Sequence, residues 1–194
     1  MPVRLTMICS GATAATRLAS FPRDEPLDPR RVPKSSVRVP RATHILTAPE
    51  QRARQTAAAL AATAIVEPSL RDCDYRAWAG KSLADVAKEQ PKQFAAWLSD
   101  PAAAPHGGES LAVLFARVAT FMDEALGGHG RTLAVTHAAN MRAAVLHVFA
   151  APFEAFWRID VAPLSAIEFS SDGRRWTMRA PALPLTAGAA DKRP

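Results

Sequence analysis

The chain has 194 residues, 48% of them hydrophobic and 22% charged, a balance that excludes a disordered polyelectrolyte and suits one domain around a single core. Lys and Arg outnumber Asp and Glu by 24 to 18, a net charge of +6. The basic residues are spread from Arg4 to Arg179 with only loose pairs at Arg30–Arg31 and Arg174–Arg175, and no nucleic-acid module accompanies them, so small anions are the better match and nucleic acid the weaker one. Two cysteines, Cys9 and Cys73, exclude a disulfide framework and a Cys-rich zinc site. The N-terminal apolar run is too short for a signal peptide, and no stretch approaches the roughly 18 apolar residues of a membrane span. A cytoplasmic protein is the resulting expectation.

Val3 to Ile8 mixes β-branched and long apolar residues before Gly11, which predicts a strand feeding a tight turn. Pro22, Pro26, Pro29, Pro33 and Pro40 remove backbone donors, so the segment from Ser20 to Pro40 reads mostly as loop. Thr43–Thr47 is a second short strand. Pro49 sits where the first turn of a helix tolerates it, and Glu50 to Thr63 is rich in helix formers. Ala64–Val66 predicts a third strand, and Arg71 to Lys81 a polar loop. Ser82 is placed to cap helical segments that Pro91 interrupts. After a turn at His106-Gly107-Gly108, Ser110 caps a helix whose apolar Leu111, Leu114, Val118, Phe121 and Met122 recur at helical spacing and which Gly127 and Gly128 end. Thr132–Thr136 reads as a buried strand followed at once by a helix over Ala138–Ala150. Ser165–Phe169 and Arg175–Met178 flank Asp172-Gly173, a hairpin signal, and residues 183–194 read as a frayed tail. Alternating strands and helices predict an α/β fold over residues 1–182, a three-layer sandwich with a central, mainly parallel sheet flanked by helices.

In such a sheet ligands gather at the carboxyl ends of the strands. Ser10 follows the first strand, Arg52 the second and His137 the strand Thr132–Thr136, while Glu109 opens a helix after a Gly-Gly turn. A guanidinium pairs with phosphate through two hydrogen bonds, an imidazole donates or moves a proton, and a carboxyl group protonates a leaving oxygen. Each residue also has an ordinary structural reading: Arg52 as a helix-surface arginine, His137 as a strand-end histidine, Glu109 as a favourable helix-start charge, Ser10 as a turn or helix cap and Cys9 as a small core residue. For Ser10 and Cys9 the structural reading is preferred; a low-pKa thiol at Cys9 is the alternative. His106 reads as a solvated loop histidine, and Trp78, Trp97, Trp157 and Trp176 as core or rim packing.

Five segments, in order, carry a resemblance. Asp24-Glu25-Pro26-Leu27, the run Ala48-Pro49-Glu50-Gln51-Arg52-Ala53-Arg54-Gln55-Thr56-Ala57, Leu70-Arg71-Asp72 through Trp78-Ala79-Gly80, Gly107-Gly108-Glu109-Ser110, and Ala134-Val135-Thr136-His137 with Arg142 together resemble the histidine phosphatase (phosphoglycerate mutase-like) superfamily. The resemblance implies that fold, a pocket for a small phosphorylated or other anionic molecule, no cofactor and no metal, and a tendency to homodimerise. It carries over phosphate binding to Arg52 and His137, and proton transfer to Glu109 and His137.

The departure lies at the first motif. The family carries Arg-His-Gly there, the arginine binding phosphate and the histidine attacking it; this chain has Cys9-Ser10-Gly11. A hydrogen bond to a charged group contributes roughly 1.5–3 kcal/mol, so loss of the arginine alone weakens phosphate binding by about tenfold or more. Loss of a covalent nucleophile costs on the order of a millionfold in turnover. Three readings stay open at this point: an anion-binding pseudoenzyme with weak or absent phosphomonoesterase activity, with Cys9 and Ser10 lining the anion pocket, which is favoured; an enzyme in which Ser10 or a directly activated water attacks; and a non-catalytic interaction protein.

Overall fold

The computed structural model describes residues 2–31, 42–61 and 63–180. Strand β1 (Val3–Cys9) leads into a one-turn helix α1 (Ala14–Arg17), followed by loop and a 3-10 turn at Pro29–Arg31. Strand β2 (His44–Thr47), helix α2 (Gln51–Ala61) and the two-residue strand β3 (Ile65–Val66) come next. Helices α3 (Leu83–Glu89), α4 (Pro91–Ser99) and α5 (Leu111–Leu126) precede strand β4 (Arg131–Thr136) and helix α6 (Ala138–Phe149), and strands β5 (Ala166–Ser171) and β6 (Trp176–Arg179) complete the described sheet.

The six strands lie in the order β3-β2-β4-β1-β5-β6. β1 to β4 are mutually parallel where they pair, and β5 and β6 add on antiparallel. The sheet is therefore mixed and mostly parallel, flanked by helices, as the alternation of patterns predicts. β1 is buried along its length except at Arg4, which follows from cover on both faces. The Asp172-Gly173 signal does join an antiparallel pair, with Ser171 opposite Trp176. Ser110 caps α5 by accepting from Val113 N, and Leu111, Leu114, Val118, Phe121 and Met122 form its buried stripe against α6. Ser82 caps α3 in the same way through Asp85 N.

Three expectations need correction or limits. The 71–81 segment is not only loop, since Arg76–Trp78 makes a 3-10 turn, and six residues from Phe153 to Arg158 form another that no sequence signal announced. His106 is buried rather than solvated: it accepts a hydrogen bond from Gly108 N at its Nδ1 and packs edge-on against Tyr75 and Trp78. The frayed tail at 183–194 and much of the proline-rich stretch lie outside the described residues. Among the described residues no helix is long and apolar enough to cross a membrane.

Candidate functional site

β4 lies between β1 and β2, so the chain leaves these neighbouring parallel strands at one edge of the sheet. Ser10 follows β1, its backbone N–H donating to Thr136 O at 2.7 Å. His137 follows β4 as the N-cap of α6, in an extended conformation and with no capping hydrogen bond from its side chain. The imidazole is thus left for tertiary contacts. Its Nδ1 lies 3.3 Å from Ser10 Oγ and its Nε2 lies 2.8 Å from Glu50 Oε2. Ser10 therefore is not a cap; Thr13 caps α1 instead.

The segment from 48 to 57 acts as a bracket. Gln51 N, at the start of α2, donates to Asp24 Oδ1 at 2.6 Å, Gln55 Oε1 accepts from Leu27 N at 2.8 Å, and Thr56 Oγ1 accepts from Gly11 N at 2.9 Å. One face of α2 thereby fixes both the Asp-x-Pro-Leu loop and the turn after β1. From the same helix Arg52, buried, donates Nη1 to Arg23 O at 2.7 Å and pairs Nη2 with Asp72. Asp72 is brought in by the end of β4 and by α6: Thr136 Oγ1 donates to Leu70 O at 2.8 Å, and Asn140 Nδ2 donates to Leu70 O and Arg71 O at 2.6 and 2.8 Å. This leaves Asp72 Oδ2 at 3.9 Å from His137 Nδ1.

Two adjoining clefts open here. The smaller, about 180 Å³, is lined by Cys9, Ser10, Arg52, Asp72, His137 and Ala138 among others. The larger, about 610 Å³, is lined by four arginines (Arg23, Arg52, Arg71, Arg76) and four carboxylates (Asp24, Glu50, Asp72, Asp74). Pro22, Arg52 and Asp72 belong to both. The site is thus charge-balanced rather than plainly cationic.

Ser10, Arg52, His137 and Cys9 are brought together, and Glu109 is not. Glu109 lines neither cleft; it is buried under Arg117, which reaches it through Nε at 3.0 Å and Nη2 at 2.8 Å, and under Arg71 at 2.7 Å. It faces the site only through Arg71. The acids that contact His137 and Arg52 are Glu50 and Asp72, neither of them among the candidates the sequence offers. Asp72 lay inside the matched Leu70-Arg71-Asp72 segment, a signal that was available. Glu50 stands two residues before Arg52, within the run that the sequence marks only as rich in helix formers.

Electrostatics set the roles further. Burial raises the Glu50 carboxyl, but the hydrogen bond and charge of His137, with the N–H of Asp72 donating at 3.0 Å, outweigh it and hold Glu50 down at about 2. Burial, with the Asp72 charge beside it, pushes the Cys9 thiol up to about 12, so Cys9 offers a neutral S–H and not a reactive thiolate. Among the described residues no group of three or more His, Cys, Asp or Glu is arranged to hold a metal ion.

The sequence pattern of the histidine phosphatase superfamily (branch 1) matches residues 34–183. The chain belongs to that superfamily. A bifunctional protein of Mycobacterium tuberculosis is 33% identical over 137 residues, a match covering 66% of this chain and 38% of that protein; the chain therefore spans well under half the length of this relative. Among solved structures, the α-ribazole phosphatase of Shigella flexneri superposes with a TM-score of 0.77 at 21% identity, covering 91% of this chain and 94% of the other. A phosphoserine phosphatase of Entamoeba histolytica, a histidine-to-alanine variant in complex with phosphoserine, superposes with a TM-score of 0.75 at 14% identity, covering 92% and 95%. At these identities the likeness is one of fold.

Proposed function

We propose that this member of the histidine phosphatase superfamily binds a small phosphorylated or similarly anionic molecule in the paired clefts and has weak or absent phosphomonoesterase activity. The observation that carries the reading is the convergence of Arg52 and His137 on one cleft at the carboxyl ends of β1 and β4, beside a serine where the family resemblance expects the nucleophilic histidine. The phosphoserine-bound histidine-to-alanine variant of the Entamoeba protein supports it, because a pocket of this fold holds a phosphorylated ligand with one histidine gone. Asp72 supports the weak-turnover half: it occupies Arg52 Nη2, so an arriving phosphate must compete with a resident anion.

The proposal assigns Ser10, Arg52 and His137 to the ligand, with Cys9 a neutral wall and Glu109 acting through Arg71. Titration calorimetry with inorganic phosphate and with vanadate tests it. Binding is expected, and Arg52→Met is expected to weaken it by about tenfold or more. Absence of binding, or affinity indifferent to the arginine, would reject the pocket. Restoring the family's pair with Cys9→Arg and Ser10→His is expected to raise phosphatase activity in a folded protein.

A further inference from the structure

We propose that Ser10, His137 and Glu50 form a nucleophile, base and orienter in line, and that phosphomonoester turnover at this cleft passes through a phosphoseryl intermediate on Ser10. The inference rests on the phosphate-pocket reading above and deepens it by assigning the attacking atom.

The hydrogen-bond geometry determines the direction of the proton. At neutral pH an ionised carboxylate only accepts, so Glu50 Oε2, 2.8 Å from His137 Nε2, requires the ring hydrogen on Nε2. In the neutral ring Nδ1 then carries the lone pair, and the group facing it at 3.3 Å is the Ser10 hydroxyl. The serine must donate and the imidazole must accept. That is the activation a hydroxyl nucleophile needs: a base within hydrogen-bond reach, itself oriented by a third group. Relative to serine hydrolases the two ring nitrogens have exchanged partners, while the order hydroxyl, imidazole, carboxylate is kept.

The line is held from both ends. Glu50 Oε1 is fixed by the N–H of Asp72 at 3.0 Å, Ser10 by its backbone bond to Thr136 O, and the imidazole is almost wholly buried. Arg52 lines the same cleft and offers its guanidinium to the oxygens of a phosphoryl group. None of this is needed for a serine that merely replaces a lost histidine.

The chemistry balances without any further reactant than water. Ser10 Oγ bonds to phosphorus as the ester P–O bond breaks; the hydroxyl proton passes to His137 Nδ1, and the leaving oxygen departs with a proton from solvent. Water then attacks the phosphoseryl group, Ser10 Oγ leaves and recovers its proton from Nδ1, and inorganic phosphate is released. Ser10, Glu50 and Asp72 face the ring during this cycle, and Arg52 lines the same cleft.

The full chain is assayed with p-nitrophenyl phosphate, acid-quenched during turnover and digested for peptide mass spectrometry, with phosphate affinity measured in parallel. The expected result is a phosphoryl group on Ser10, turnover lost by at least about a hundredfold in Ser10→Ala, far more than any loss of phosphate affinity, and a kcat lowered in Glu50→Gln and recovered in Glu50→Asp. Turnover indifferent to Ser10→Ala, a phosphoryl group on another residue, a kcat unmoved by Glu50→Gln, or phosphate binding with no wild-type turnover above buffer overturns the serine route while leaving the pocket reading standing. Failure of wild-type protein to bind phosphate removes the pocket itself.

Discussion

Glu50→Gln offers the sharpest physical test, because the carboxylate contributes to stability in a pH window fixed by its own titration. The carboxyl titrates at about 2 in the fold against an ordinary 4.5, and its side chain is mostly shielded. The drop from 4.5 to about 2, at 1.36 kcal/mol per decade, sets an upper limit of roughly 3 kcal/mol on its contribution, because part of it comes from the charge of His137, which the neutral ring lacks. A depressed acid contributes fully above its unfolded value and loses the contribution as pH falls towards the folded one. The advantage of wild type over the variant should therefore be constant above about pH 5 and reduced by roughly half near pH 3. The glutamine retains the shape but can accept only one of the two hydrogen bonds that Glu50 accepts from His137 and from the Asp72 N–H. Urea denaturation of both proteins at a series of pH values between 7 and 3 measures the difference directly. A gap that stays the same across that range would refute the ionised Glu50 carboxylate as its origin.

The Arg52–Asp72 pair is nearly buried on both sides, so Arg52→Ala alone should cost about 3–5 kcal/mol by stranding a carboxylate, and adding Asp72→Asn should recover part of that loss in the same urea assay; strictly additive losses would contradict a coupled pair. The two thiols should resist alkylation in the folded protein, because burial pushes Cys9 up to about 12 and Cys73 well above the ordinary thiol range. Iodoacetamide at pH 8 should label both quickly in urea and slowly without it, and rapid native labelling of Cys9 would show that its thiol is accessible and ionised.

The parts of the fold readable from sequence are those where one local rule decides. Ser82 and Ser110 announced their helices because a hydroxyl at an N-cap satisfies an otherwise unpaired N–H. Asp172-Gly173 announced its hairpin because few dipeptides make that turn. That Ser10, Arg52 and His137 would meet was readable because each follows a strand, and the sheet order then brings them to one cleft. Glu109 lies outside both clefts because Arg117, eight residues on, folds back to claim its carboxylate, a contact that local sequence does not reveal. Glu50 and Asp72 were passed over for the converse reason: their partners, His137 and Arg52, are long-range in sequence. The burial of His106 likewise depends on Tyr75 and Trp78, residues from a separate stretch of chain.

Gly108 sits where a side chain has no room: a Cβ there would fall inside the carbonyl group of Asp74 and press on the Arg76 stem, while the neighbouring Glu109 N–H is bonded to that same carbonyl at 2.8 Å. Asp74 and Arg76 belong to the wall of the larger cleft. A single methyl at residue 108 would thus act as a wedge and displace that wall. The shape of the larger cleft is set in part by a residue that lines neither cleft.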